Sequence, residues 1–196
     1  MDSFDRGRRA LALLAIVALI ALVVALSFSD RTAKPMAING DMLGQETSES
    51  IDAYAARAGT SLAEAPAGEK AYALVSFARP LNAEAAAAVL DGIGRVNAMV
   101  MLSAPAMALP EPIAGESRAD VFQRQITLVD AQLAGIGNVR APQELNGVVV
   151  WDTPEAVKKI AENPEVFSVE ILPPDAAWGA FGVRPVNVDG TPLDGA

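Results

Sequence analysis

LNGVVVWDTPEAVKKIAENPEVFSVEILPP, residues 145–174, reads as strand, helix, strand. Val148, Val149 and Val150 are β-branched, with turn formers on both sides: Asn146-Gly147 before them and Asp152-Thr153-Pro154 after them. Thr153 is placed to cap the following helix, Pro154 suits its first position, and Glu155 lies near the positive end of its dipole. Val157, Ile160 and Ala161 recur at helical spacing and form one apolar face. Asn163-Pro164 stops that helix, because the residue before a proline is pushed out of the α region. Phe167, Val169 and Ile171 then alternate with Ser168 and Glu170, the pattern of a strand with one buried and one solvated face.

Residues 71–102 repeat the grammar. A strand (AYALVSFAR) leads to an alanine-rich helix begun by Asn82, with Glu84 in its first turn. A glycine-punctuated turn (DGIG) and a second strand (RVNAMVML) follow. Two βαβ units predict an α+β fold, a ferredoxin-like βαββαβ sandwich whose four strands share one antiparallel sheet. Val75, Phe77, Val169 and Ile171 are expected on its buried face.

Between the units lies SAPAMALPEPIAGESRAD, whose prolines at 105, 110 and 112 exclude a regular helix or a central strand. Met99, Met101 and Met107 near its start are read as core and rim packing. Residues 120–134 predict an extra helix with a stripe of Val121, Phe122, Ile126, Val129 and Leu133, ended by Gly135-Ile136-Gly137. Upstream of the sandwich, a short amphipathic helix is expected from Thr47 or Ser48 as cap to Gly59 near its end. Ile51, Tyr54, Ala55, Ala58 and Leu62 lie along one of its faces, leaning on the folded domain. After Pro173-Pro174 the chain is dense in Gly and Pro, and Trp178 and Phe181 are its only large anchors.

The N-terminal run from residue 10 to 28 is apolar apart from Ser27, and its 19 residues approach the roughly 30 Å of a bilayer's hydrocarbon core. Arg6, Arg8 and Arg9 precede it, so the positive-inside rule places the N-terminus in the cytoplasm and the bulk of the chain outside. Ala25-Leu26-Ser27 offers a signal-peptide cleavage site as the rival, in which case the protein is secreted. The expected organisation is a cytoplasmic tail (1–9), a transmembrane helix (10–28), a juxtamembrane linker and helix (29–68), the sandwich (69–174) and a C-terminal tail (175–196).

Charge and composition narrow the function. Three of the 15 basic and two of the 24 acidic side chains precede the apolar run, which leaves 12 and 22 after it, a net of −10. Such a surface argues against nucleic acid, since phosphate contacts need clustered Lys and Arg. With neither Cys nor His, the chain has no disulfide, no thiolate or imidazole metal site and no His-containing triad. Paired carboxylates are the remaining catalytic candidates: Asp152 with Glu155, and Glu162 with Glu165. Their positions suit capping and solvation. No Ser stands in a nucleophile-elbow or Ser-x-x-Lys context to use Lys158 or Lys159. Gly92-x-Gly94 is too short for a dinucleotide fingerprint.

Asn146, Gly147, the run Thr153-Pro154-Glu155-Ala156, Asn163-Pro164 and Val169-Glu170 resemble the second half of the subtilisin propeptide and proteinase-inhibitor family. That resemblance implies the ferredoxin-like fold. It also implies that the sheet packs on helices of a protease, with residues 173–178 in the substrate groove. No protease domain follows residue 174 in this chain, and an insertion separates the two halves. The sequence therefore points first to a membrane-anchored, extracytoplasmic domain that acts on a protein partner by contact, without catalysis, metal or cofactor. A protease inhibitor or propeptide-like folding helper is the second reading, and a carboxylate-based enzyme the third. Trp178 and Phe181 are its candidate anchor residues, expected to pack back on the domain, and the oligomeric state is left open.

Overall fold

The computed structural model describes residues 41–102, 104–134 and 142–188, together with Leu13, Ala15, Ile16, Ala18 and Leu19, which are helical and exposed. The rest of the apolar run at 10–28, the Gly135-Ile136-Gly137 stop and the end of the C-terminal tail lie outside the described residues. Among the described residues no helix is long and apolar enough to cross a membrane. The chain divides into two compact units, Met1–Asn39 and Gly40–Ala196, and the second carries the whole sheet.

That unit is a mixed α+β domain built on a five-stranded antiparallel sheet. In chain order its elements are β1 (Met42–Leu43), α1 (Ile51–Glu64), β2 (Ala71–Leu81), α2 (Ala83–Val89), β3 (Val96–Met101) and β4 (Ala104–Ala108). Then come α3 (Arg118–Leu133), β5 (Leu145–Asp152), α4 (Pro154–Ala161), β6 (Val166–Ile171) and β7 (Gly182–Val183). The sheet runs β4-β3-β5-β2-β6, and β1 and β7 form a separate parallel pair.

Local signals set the helices. Asn82 caps α2 by accepting from Ala85 N at 2.9 Å, and Thr153 caps α4 ahead of Pro154. Ser117 and Asp120 form a reciprocal capping box that starts α3 two residues before the expected Asp120. The cap of α1 is Ser50, later than Thr47 or Ser48. That helix also runs through Gly59 to Glu64, because Leu62 is buried one turn past the glycine and its packing outweighs glycine's poor propensity.

The first sheet face carries the larger apolar core. Val75, Phe77, Met99, Met101, Val148, Val150, Val169 and Ile171 meet Ala86 and Val89 of α2, Val121, Phe122 and Ile126 of α3, and Val157 and Ile160 of α4. Each such side chain contributes about 1.5–3 kcal/mol on burial. The four residues expected on the buried face are all here. The second face has its own smaller core of Leu74, Ala98, Val100, Val149 and Leu172, covered by Leu43, by Tyr54 and Ala58 of α1, and by Val186.

Three expectations are corrected. The sheet has five strands rather than four, because the proline-containing insertion supplies β4, an edge strand where a missing N–H is tolerated. Phe167 does not share a face with Val169 and Ile171. The register passes from Ser76–Ser168 to Phe77–Val166, so Phe167 is the extra residue of a bulge and falls in the second core. Finally, Glu170, read as solvent-facing, is 4% exposed.

Candidate functional site

The second face is organised around Glu170. Its Oε2 accepts Gly44 N at 2.6 Å, and its Oε1 pairs with Arg57 Nη1 of α1. Arg57 reaches Glu49 with Nε and Nη2, both at 2.9 Å, and donates through Nη2 to Gly44 O at 3.0 Å. Gly44 has φ +104°, a conformation that a side chain rarely adopts, and its backbone lies against Arg184. One buried carboxylate thus ties together the segment after β1, α1 and β6. Burial pushes the Glu170 carboxyl up, against the donors from Gly44 and Arg57. The hydrogen bonds from Arg57 hold Glu49 below the usual carboxylate range and raise Arg57 in turn. The Tyr54 hydroxyl, buried beside this group, is pushed up to about 12 by desolvation and by the Glu170 charge, opposed by the Ser76 and Ser168 hydroxyls. Neither Tyr54 Oη nor Ser168 Oγ meets a partner in hydrogen-bond geometry among the described residues.

Beyond this node the surface is aromatic. Register places Tyr72 of β2 directly opposite Trp151 of β5, with ring centroids 6.5 Å apart. Trp178 and Phe181 fold back onto Tyr72, at 5.6 and 5.1 Å, and meet each other edge-on at 5.8 Å. The return is fastened by Leu172 N donating to Tyr72 O at 2.8 Å and by the β1–β7 pair. Lys70 Nζ stands 4.8 Å from the Trp151 ring centroid. The cluster is not fully covered: Trp178 remains 43% exposed.

Next to the rings the sheet ends. β4 pairs only with β3, and among the described residues no strand pairs with its outer side. A groove of about 310 Å³ lies against this edge, floored by Ala98, Ala106 and Ala108 and walled by Trp178, Phe181 and Val183. Residues 96–110 carry no charge, and neither do 176–183, in a chain that is otherwise strongly acidic. A half-exposed aromatic patch beside an open, uncharged strand can bind apolar groups and extended backbone.

Three of the four carboxylates considered for catalysis, Asp152, Glu155 and Glu165, each hold partners of their own. Burial works to raise the Asp152 carboxyl, but Gly94 N at 2.6 Å, Thr153 N at 2.9 Å and Lys70 at 3.5 Å together keep it low. Glu155 accepts Gly68 N at 3.2 Å, and Glu165 pairs with Arg79 at 2.9 Å. Among the described residues no cluster of three acidic side chains could hold a metal ion.

Trp178 and Phe181 were readable as anchors because nothing else large occurs in their segment. Tyr72 and Trp151 were not, since their meeting depends on the β2–β5 register. Nor was the Glu49–Arg57–Glu170 network, which spans 121 positions of sequence between its acidic members. No family model, no curated protein and no solved structure matches this chain.

Proposed function

We propose that the chain is a membrane-anchored, extracytoplasmic interaction domain that works by contact, without catalysis. The observation that carries this reading is the convergence of both tryptophans of the chain with Tyr72 and Phe181 on one surface, beside an uncharged open strand. Aromatic clusters of this kind dominate binding energy in protein interfaces. The fold is assigned as a ferredoxin-like sandwich with an added edge strand. The support is a split βαβ plan: β5 separates β2 from β3, and β2 separates β5 from β6.

That assignment keeps the propeptide-like reading as an alternative. It is the weaker one, because the sheet face that would meet a protease carries α1, the β1–β7 pair and the segment after Leu172 of this same chain. The anchor reading rests on the length and arginine flank of residues 10–28.

A photo-crosslinking residue in place of Trp178, in native membranes, is expected to form a protein adduct that the same probe at exposed Lys159 does not. Absence of any adduct at position 178 sinks the interaction reading. A reporter fused after residue 196 that is active only outside the cytoplasm is the expected topology result, and a cytoplasmic signal overturns the orientation.

A further inference from the structure

We infer that β4 receives an extended, uncharged segment of a partner protein as an added strand, with that segment's larger apolar side chains seated in the alanine-floored groove. The inference rests on the interaction reading above and names its partner class.

The backbone supplies the first argument. Leu109 N donates to Asn97 O at 2.8 Å, which makes 97 and 109 a hydrogen-bonded pair of the β3–β4 ladder. The adjacent pair, Ala98–Ala108, is then a non-hydrogen-bonded one, so the N–H and C=O of Ala108 point away from β3. Pro105 does not occupy this position, and the outer edge keeps its donor. Extended backbone is what satisfies such a row of groups.

Charge supplies the second argument. Edge strands are protected by charge, by proline or by bulges; Pro105 and the register shift between Met99 and Met101 blunt the start of β4, but residues 96–110 carry no charge to guard its Ala108 end. The complement is therefore an uncharged segment.

Size supplies the third argument, and it separates a partner from a second copy. An added strand places alternate side chains on the groove's face, next to Ala106 and Ala108. An antiparallel second copy would bring its own Ala106 and Ala108 there, and methyl groups leave a groove of about 310 Å³ unfilled. Leucine-sized side chains between those alanines and the rings of Trp178 and Phe181 occupy it.

The test uses the full chain in lipid nanodiscs and a fluorescent probe peptide, acetyl-Thr-Leu-Thr-Leu-Thr-Leu-Thr-amide, followed by anisotropy against empty nanodiscs. Saturable binding is expected. Ala108→Pro, which removes an outward N–H, should weaken it about tenfold. The same peptide N-methylated at alternate residues, which keeps every side chain, should not bind the unaltered chain. Equal binding of the methylated peptide, or no effect of Ala108→Pro in a variant with unchanged circular dichroism, overturns strand addition. So does sedimentation of the unaltered chain as a dimer that Ala108→Pro dissociates, since the occupant is then a second copy. Crosslinking from position 178 that persists in Ala108→Pro would leave the interaction reading standing while strand addition fails.

Discussion

The two faces of the sheet are closed by different means. The first is covered by α2, α3 and α4 through one large apolar core. Its helices α2 and α4 directly follow the strands they cover, so most of its order is local in sequence. The second is covered by pieces from both ends of the unit: β1 and α1 from before the first long strand, and the segment from Leu172 to Val186 from after the last. Here a buried ion pair and a set of stacked rings supplement a smaller apolar core. The first face is built for stability. The second combines stability with an incompletely covered surface, and that is where the candidate site lies.

The largest expected effect is on the first face. Phe122→Ala removes a ring that is 0% exposed and should cost about 3–5 kcal/mol, abolishing the cooperative thermal transition or moving it far down. A small change in melting temperature would mean that α3 is peripheral to the core.

Breaking the node on the second face should cost less. Arg57→Ala leaves Glu170 buried with Gly44 N as its main donor, for about 2–3 kcal/mol by denaturant titration; the value sits at the low end because Arg57 is itself partly exposed. Pairing that change with Glu170→Gln should recover part of the loss, since no charge is then stranded. Simple additivity of the two would show the pair to be uncoupled.

Deleting residues 175–196 strips Trp178, Phe181 and Val186 from the second face and should lower the melting temperature by the equivalent of about 2 kcal/mol. An unchanged midpoint with loss of a partner would instead mark the tail as a pure recognition segment.

The smallest effect is on pH dependence. The folded Glu170 carboxyl sits above its unfolded value, so the folded state binds the extra proton and Glu170 favours folding most in acid. That contribution falls as pH rises from about 4.5 through the raised folded value. Glu49 has the opposite sign: its lowered carboxyl stabilises above the unfolded value and is lost as pH falls. Glu170→Gln removes the first trend only. The melting temperature of the unaltered chain relative to this variant should therefore decline between pH 4 and pH 7, and a rising difference would reverse the assignment.

The first face was legible because its signals are short-range. Asn82, Thr153-Pro154 and the valine run of β5 announce themselves within a few residues, and the buried set of Val75, Phe77, Val169 and Ile171 follows from alternation. The second face was legible only where composition was unusual, as with Trp178 and Phe181. A one-residue bulge at Phe167 moves a side chain between faces without any local mark. Glu170 has the spacing of a solvated residue, and its burial is explained by the approach of Arg57 and Gly44, 113 and 126 positions away. The fifth strand, with two of its five residues solvent-exposed and Pro105 within it, has too weak a pattern to be told from a loop.

The β1–β7 pair has a mechanical consequence. Its two strands are parallel, held by Gly182 N on Asp41 O at 2.9 Å and Arg184 N on Leu43 O at 2.8 Å, and they join the beginning of the folded unit to its end. Tension between a tether before Asp41 and a load after Val188 pulls the two strands past each other lengthwise. These bonds then carry the force side by side in shear, and the five-stranded sheet is not peeled until they fail. The pair is a clasp between the points where such a domain would be pulled.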